Sequence, residues 1–484
     1  MTMHDELGAQ MMAGAQSEEP GESTRRRIVN LLIVYFLLLI FEGTLRKWVL
    51  PSYGQWLFFV RDPIVLVIYW LALRGSLLPW RSPLLAVGVG FAFLGFLMIG
   101  VQAAGVASGI AKWPILAVYG WRNYFLYIPL PFVIARVVRE RDLQRFTKIA
   151  LVLAIPIAML VLMQFRASPD APINVGFGAT AAQQYHGLTV DVNHTRPSGP
   201  FTSDVGQKEF TVTTLALLLA MWIAPARRRL IKPVLLIVAT CALLTCLAVS
   251  GSRGAILASA VVVAAAVASG PFVRSSGTSA RAVLLPALLV LAAVLLYPIV
   301  FPEGYATFMN RWTEAQMAEL QTFHGGLLGR ALYSFYDFTF LFGDTPLPGY
   351  GMGLAGDAAL TLGVVIPGFH GWAESDWARH IVDLGPIVGV AFILYRVALV
   401  AWLGGVCLTG ARRVGSQLPL LLFASCALDL LSGELTGNGV VNGFAWLFSG
   451  LSLAAAGFGS QEVAEPSPSR LTAGAVQPFP NLMR

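Results

Sequence analysis

Long apolar runs separated by short polar segments dominate the pattern along this chain. A bilayer core about 30 Å thick is crossed by roughly 20 apolar residues in a helix, and about twelve stretches of that kind can be counted. They lie near residues 28–43, 57–74, 83–101, 118–138, 146–165, 209–224, 231–249, 254–270, 282–301, 385–409, 417–433 and 440–458. The pattern predicts an all-α integral membrane protein with about twelve transmembrane helices.

The composition supports a membrane protein. Of the 484 residues, 56% are hydrophobic and 12% are charged, which lies outside the range of ordinary soluble domains. All four cysteines fall inside apolar runs, without the spacing of a disulfide framework or a metal site. We therefore expect neither a structural metal nor a cofactor.

Basic residues predict which side of the membrane each loop occupies. Arg25, Arg26 and Arg27 precede the first apolar run, and no cleavage site follows it, which predicts an uncleaved signal anchor. The loops on that side carry 18 of the 33 Lys and Arg residues, so both termini are expected in the cytoplasm. The net charge of +7 follows from this bias and does not indicate nucleic-acid binding. Arg46 and Lys47 would then lie outside, unless that segment is re-entrant or interfacial.

This topology divides the chain into seven parts. They are a polar cytoplasmic tail (1–27), N-terminal transmembrane helices (28–165), a first outer loop (166–208), central transmembrane helices (209–301), a large outer loop (302–384), C-terminal transmembrane helices (385–458) and a cytoplasmic tail of disordered composition (459–484). Long loops are uncommon unless they are functional, so the chemistry is expected in the two outer loops.

Two short segments at the outer face place arginines beside sharp turns. In VSGSRGAIL, Arg253 stands between two apolar runs, next to backbone N–H groups that together suit a phosphate or diphosphate. The alternative is an arginine that reaches the lipid headgroups or caps a helix. The first outer loop ends in RPSGPF, where Arg196 precedes a turn fixed by Pro197, Gly199 and Pro200.

The second outer loop ends in WAESDWARHIVDLG, which predicts a helix with Ser375 as its N-cap. Asp376, Arg379, His380 and Asp383 then share one face of that helix. Because lipid cannot satisfy these groups, the face should lie against protein or a wet cavity. The alternative is a solvated face of salt bridges.

Three residues of this segment could supply a general base, namely Glu374, Asp376 and His380, since carboxylates and imidazoles remove protons from hydroxyls. Arg122, among aromatics near an outer span end, and Arg311, in the RWTE segment, are candidate substrate ligands. An interfacial aromatic belt is the alternative for Arg122.

Two charged residues, Arg396 and Asp429, lie inside apolar runs, where each costs about 2.5–3.5 kcal/mol on insertion scales. Their different depths argue against a direct salt bridge between the two side chains. The alternative places Asp429 with Glu434 and Asn438 at an outer cavity. The segment GYGMG lacks the flanking strand and the lysine of a nucleotide-binding loop, and it predicts a structural or lid-forming turn.

Taken in order, four motifs resemble the O-antigen polymerase and O-antigen ligase superfamily. They are the RPSGPF segment, the SRG turn between consecutive spans, a large outer loop with PLPGYGMG, and a closing E-x4-R-x4-LG-x3-G pattern. The resemblance covers roughly residues 190–390. The closing pattern consists of Glu374, Arg379, Leu384, Gly385 and Gly389.

The resemblance implies a bacterial inner-membrane glycosyltransferase of the multi-span C-type. Its donor would be a polyprenyl-diphosphate-linked glycan, its acceptor a sugar hydroxyl, and a base would activate that hydroxyl for inverting attack. By motif, Arg253 and Arg196 would bind the donor diphosphate. Arg330 and Arg379 would be further ligands, and Glu374 the first choice of base. No metal would be required.

This chain departs from the ligase pattern, because no histidine–asparagine pair stands where WAESDW lies. The departure favours a polymerase-like enzyme over an O-antigen ligase. Two other classes stay open: a glycolipid translocator, although no repeated halves are visible, and a partner of a chain-length regulator or export complex without its own activity.

Overall fold

The computed structural model describes most of the chain. The described residues are 20–105, 107–110, 112–176, 194–224, 231–273, 288, 292, 295–322, 326–356, 358–359, 363–364, 373 and 375–464. Within them the secondary structure is helical and contains no β-strand. Most of the two predicted tails and most of the predicted 282–301 span lie outside this part of the chain, whereas residues 20–27 belong to the first helix and 459–464 to the last.

In chain order the helices are α1 Pro20–Thr44, α2 Gly54–Leu57, α3 Asp62–Arg74, α4 Pro83–Ala104, α5 Trp113–Trp121, α6 Leu130–Val137, α7 Glu140–Arg166, α8 Asp204–Ile223, α9 Pro233–Val249, α10 Arg253–Ser269, α11 Pro302–Thr322, α12 Gly326–Tyr333, α13 Asp376–Val414, α14 Leu418–Ala424, α15 Ala427–Leu431 and α16 Gly439–Ala464. Short π or 3₁₀ turns cover Leu45–Val49, Pro51–Tyr53, Arg122–Leu126, Pro172–Asn174 and Asp337–Leu341.

Five segments of the described chain are long and apolar enough to cross a membrane. They are Gly21–Val49, Pro83–Ala104, Glu140–Arg166, Asp376–Val414 and Gly439–Phe458. Shorter apolar helices cover Pro233–Val249, Arg253–Ser269 and Leu418–Leu431. The prediction of an all-α chain with membrane-crossing helices is confirmed to this extent, and the count of twelve stays a prediction.

Two predicted spans are interrupted in the structure. The 118–138 stretch contains the π turn Arg122–Leu126 and resumes as α6 only at Leu130. Pro129 and Pro131 explain the interruption, because proline lacks the N–H that a continuous helix needs. The 417–433 stretch breaks between α14 and α15, where the Ser425 hydroxyl donates to the Leu422 carbonyl at 2.8 Å.

Helix α16 forms the centre of the described structure. Within its apolar window, 94% of the residues are buried, so protein rather than lipid surrounds it. It packs against α6, α13 and α14. The loop between α15 and α16 therefore leads into the interior of the protein.

A bend divides α13 where the predicted loop helix meets the predicted span. Gly385 has a φ of 79° and precedes Pro386 inside this helix. The GYGMG segment packs against the bend: a Cβ at Gly349 would lie 2.6 Å from the Asp383 carbonyl oxygen. Gln102 donates to the same Asp383 carbonyl at 2.8 Å. GYGMG is thus a buried structural turn, and the lid interpretation does not fit its packing.

Candidate functional site

The SRG turn between α9 and α10 forms as the sequence predicts. Gly251 has a φ of +56°, a left-handed conformation that glycine adopts without strain. The Ser252 hydroxyl accepts a hydrogen bond from the Ala255 N–H at 3.3 Å and caps α10. Arg253 is the first residue of that helix. A cation is unfavourable at a helix N-terminus, so Arg253 requires an anionic partner.

Glu319 of α11 provides that partner. Its two carboxylate oxygens accept from Arg253 Nη1 at 2.8 Å and from Nη2 at 2.6 Å. The Arg253 guanidinium also lies 5.8 Å from the centre of the Trp312 ring on the same helix. These hydrogen bonds hold the pKa of Glu319 below its ordinary value of 4.5. The segment predicted as the large outer loop therefore brings one anion onto the predicted phosphate ligand.

Arg330 of α12 binds the same carboxylate. Its Nη1 lies 3.1 Å from Glu319 Oε1, and its side chain is 48% exposed, against 4% for Glu319. The structure thus brings Arg253 and Arg330 together around one acidic side chain. Arg311 belongs to α11, but its side chain lies outside the described part of the chain.

Arg196 lies at the start of the fixed turn before α8. Its Nη1 contacts Asp204 Oδ2 at 3.3 Å. Residues distant in the sequence hold the turn in place. The Gly199 N–H donates to Gln164 at 2.7 Å, and the Lys47 ammonium donates to the Gly199 carbonyl at 2.9 Å. The predicted fixed turn is confirmed, and Lys47 is one of the residues that hold it.

The first turns of α8 connect Arg196 with the SRG turn. Asp204 and Lys208 are four residues apart and so share one face, separated by about 6 Å along the axis. A Cβ at Gly254, the residue after Arg253, would lie 3.9 Å from Lys208 Cδ. The Lys208 ammonium lies 2.7 Å from Glu209 Oε1 and 3.8 Å from Asp429 Oδ1. Sequence reasoning missed Lys208 and Glu209.

The predicted polar face at the start of α13 is buried in protein. Ser375 caps the helix as predicted, accepting from the Ala378 N–H at 3.0 Å. Asp376 is 1% exposed; it accepts from the Arg396 guanidinium and from the Thr436 hydroxyl, the latter at 2.6 Å. Of the two predicted environments, protein or a wet cavity, the structure therefore shows protein around Asp376.

Arg396 forms no side-chain salt bridge with Asp429, as the sequence analysis expected. Its charge partner is Asp376, and it reaches Asp429 only at the backbone carbonyl, with Nη2 to O at 2.9 Å. Its Nε donates to the Leu430 carbonyl at 2.8 Å. The bend in α13 brings residues 376 and 396 together, which a straight helix could not do.

His380 continues this network in a fixed tautomer. Arginine can only donate, so His380 Nε2, 2.7 Å from Arg396 Nη1, is the acceptor. Nδ1 then carries the proton and donates to the Tyr124 hydroxyl at 3.1 Å, and Tyr124 donates to Asp383 at 3.2 Å. In this geometry Asp376 and His380 act as structural partners of Arg396. Their assignment to catalysis stays a prediction.

Arg379 and Arg122 lie on either side of the segment that leads into α16. Arg379 is 9% exposed, and its Nη1 packs directly against Gly437. A Cβ at Gly439 would lie 3.3 Å from Arg122 Nη1. Neither arginine lies on an exposed outer surface.

Arg122 belongs to a buried ion-pair cluster. It is 3% exposed and contacts Asp62 with Nε to Oδ2 at 2.7 Å. Arg61, fully buried, contacts Glu42 at 2.7 Å, and Arg46 contacts the same Glu42 at 3.0 Å. The interfacial aromatic belt therefore does not describe Arg122, since its charge pairs inside the protein.

Glu374, the first candidate base, lies outside the described residues. Within the residues the structure describes, no group of three or more His, Cys, Asp or Glu side chains could hold a metal ion.

No family model matches the chain, and no curated protein matches it.

Proposed function

We propose that this chain is a polysaccharide polymerase-like glycosyltransferase of the bacterial inner membrane, with about twelve spans and both termini in the cytoplasm. It moves a polyprenyl-diphosphate-linked glycan onto an acceptor sugar hydroxyl at the outer face. The observation that carries the proposal is the contact of Arg253 and Arg330, from separate outer segments, with the single carboxylate of Glu319.

In this proposal the diphosphate of the donor takes the place of the Glu319 carboxylate at the Arg253 guanidinium. Carboxylates and phosphates both accept two parallel N–H bonds from a guanidinium, so a diphosphate oxygen pair fits the fork that Glu319 now occupies. The lipid tail stays beside the apolar helices α9 and α10, which meet at this turn. The site thus matches a ligand that has an anionic head and an apolar tail.

The chemistry needs fixed positive charge at this position. The leaving diphosphate becomes more negative as the glycosidic bond breaks, so preorganised guanidiniums stabilise the transition state more than the ground state. Arg196, which pairs with Asp204 at the turn before α8, is a further predicted ligand of the diphosphate. Arg311, Arg379 and Arg122 stay predicted ligands from the sequence, the last two with surroundings inside the protein.

Reconstitution tests the proposal. The purified protein is placed in liposomes with lipid-linked repeat units extracted from its host, and the products are separated by size. We expect a ladder from the wild type and a loss on the order of 100-fold for Arg253→Ala, the range for removing one oxyanion donor. Arg74→Ala is the matched control, because Arg74 also lies at a helix terminus and stacks on a tryptophan, Trp70, at 4.0 Å.

Other outcomes identify the competing functions. A single-step product that depends on Arg253 would indicate a ligase-type transferase. Movement of the lipid-linked unit between leaflets without product would indicate a translocator. An unchanged ladder in Arg253→Ala would remove this arginine from the donor site.

A further inference from the structure

A compact ionic cluster lies beside the SRG turn and has no role in the donor site as proposed. Lys208 lies between two carboxylates, with its Nζ 2.7 Å from Glu209 and 3.8 Å from Asp429. The side chain of Glu209 is 2% exposed, whereas that of Asp429 is 15% exposed. Asp429 is therefore the carboxylate of this cluster that a substrate can reach.

The cluster is next to the proposed donor ligand. The Lys208 side chain packs against Gly254, whose preceding residue is Arg253, with 3.9 Å between Lys208 Cδ and a Cβ built at Gly254. A glycosyl donor held by Arg253 would thus have a carboxylate near its sugar. A general base must lie within reach of the hydroxyl that attacks that sugar.

The other described acids near the site are committed elsewhere. Asp376 is 1% exposed and bound by Arg396 and Thr436. Asp383 is 3% exposed and accepts from the Ala355 N–H at 3.0 Å. The carboxylate of Glu319 is fully used by arginines. Asp429 differs because its side chain is 15% exposed and its contact with Lys208, at 3.8 Å, is longer than a hydrogen bond, although it also shares a side-chain hydrogen bond with Glu209.

The backbone of Asp429 is held independently of its side chain. Arg396 donates to the carbonyl of Asp429 at 2.9 Å and to that of Leu430 at 2.8 Å. This buried arginine fixes α15, the short helix that presents the carboxylate. Substituting only the Asp429 side chain leaves those two hydrogen bonds in place.

We propose that Asp429 is the general base of the transfer and that Lys208 is its positioning residue, an inference that rests on the proposed function. The acceptor hydroxyl oxygen bonds to the anomeric carbon, and the bond from that carbon to the phosphate oxygen breaks. The electron pair of that bond leaves with the diphosphate at Arg253. The hydroxyl proton moves to Asp429, which releases it to water. Lys208 offsets the repulsion between the carboxylates of Asp429 and Glu209.

Asp429→Asn in the liposome assay tests this role. We expect kcat to fall by about 10²- to 10⁴-fold, the usual contribution of a general base. The Kd for undecaprenyl diphosphate, measured on the purified protein, should change less than about twofold, since the substitution keeps shape and backbone contacts. Asp429→Glu should recover part of kcat. Asp170→Asn, an exposed carboxylate of the first outer loop, is the matched control.

Three results would overturn the assignment while the wild type still makes product. The first is full kcat in Asp429→Asn, above all if Glu374→Gln is inactive. The second is an equal loss of diphosphate affinity and thermal stability, which would give Asp429 a structural role. The third is failure of Asp429→Glu to recover any activity. If the wild type itself makes no product, the proposed function fails instead.

Discussion

Arg396 and Arg253 are both arginines among apolar helices, and their surroundings are opposite. Arg396 is 1% exposed, and its donors reach Asp376, His380 and backbone carbonyls of the segment around α15. The side chain of Arg253 is 16% exposed and bound by one carboxylate from a separate helix, α11. One guanidinium is surrounded by several partners that belong to the core, and the other is paired with a single carboxylate of a separate helix.

The contrast separates structural from ligand-binding charge. A buried charge is tolerated when several fixed groups satisfy it, and those groups leave no free fork for a ligand. A guanidinium that is hydrogen-bonded to one carboxylate on a surface helix can exchange that carboxylate for a phosphate. Burial alone therefore does not distinguish the two arginines, whereas the number and origin of their partners do.

The largest effect is expected at the core arginine. Arg396→Ala leaves Asp376 buried without its counter-ion, which costs about 3–5 kcal/mol. The variant should unfold at much lower temperature, or fail to accumulate, in a detergent-based stability assay. Adding Asp376→Asn should restore part of the loss, because removing both charges costs less than removing one. A variant of normal stability that lacks activity would instead place Arg396 at the substrate.

At the pair of Arg253 and Glu319 the expected effect is smaller, and it is a gain in ligand affinity rather than a loss of stability. Glu319→Gln removes the charge that competes for Arg253, so diphosphate should bind more tightly, by about 1 kcal/mol or roughly fivefold. The Kd for undecaprenyl diphosphate measures this directly. The matched change in the core, Asp376→Asn, should lower stability without tightening diphosphate binding. Weaker binding in Glu319→Gln would mean that Glu319 supports the ligand rather than competing with it.

The features that the sequence predicted correctly depend on local spacing. The Ser375 cap, the shared polar face of α13 and the glycine-containing turns at 196–201 and 250–254 each involve residues within a few positions. Their conformations follow from capping, helical periodicity and the freedom of glycine, which are readable without the fold.

The pairings of charges could not be predicted in the same way. Arg253 and Glu319 are 66 residues apart, and Arg122 and Asp62 are 60 apart, so their contact depends on how helices pack. The bend at Gly385 gave Arg396 a partner that a straight helix would have kept out of reach. Lys208 was not predicted as a site residue, because a single lysine near a span end has the pattern of an ordinary interfacial cation.

The smallest predicted effect is a pH dependence at the Glu319 ion pair. Its pKa is lowered in the folded state, so its contribution to stability is present above the ordinary value of 4.5 and lost as pH falls through the lowered value. The difference in Tm between wild type and Glu319→Gln should therefore stay constant from neutral pH to about pH 5 and shrink below it. For a chain of this length the difference should be about 1–3 °C. If it stays constant down to about pH 3, the charge of Glu319 does not stabilise the fold, and the contact with Arg253 would be weak enough for almost any anion to replace.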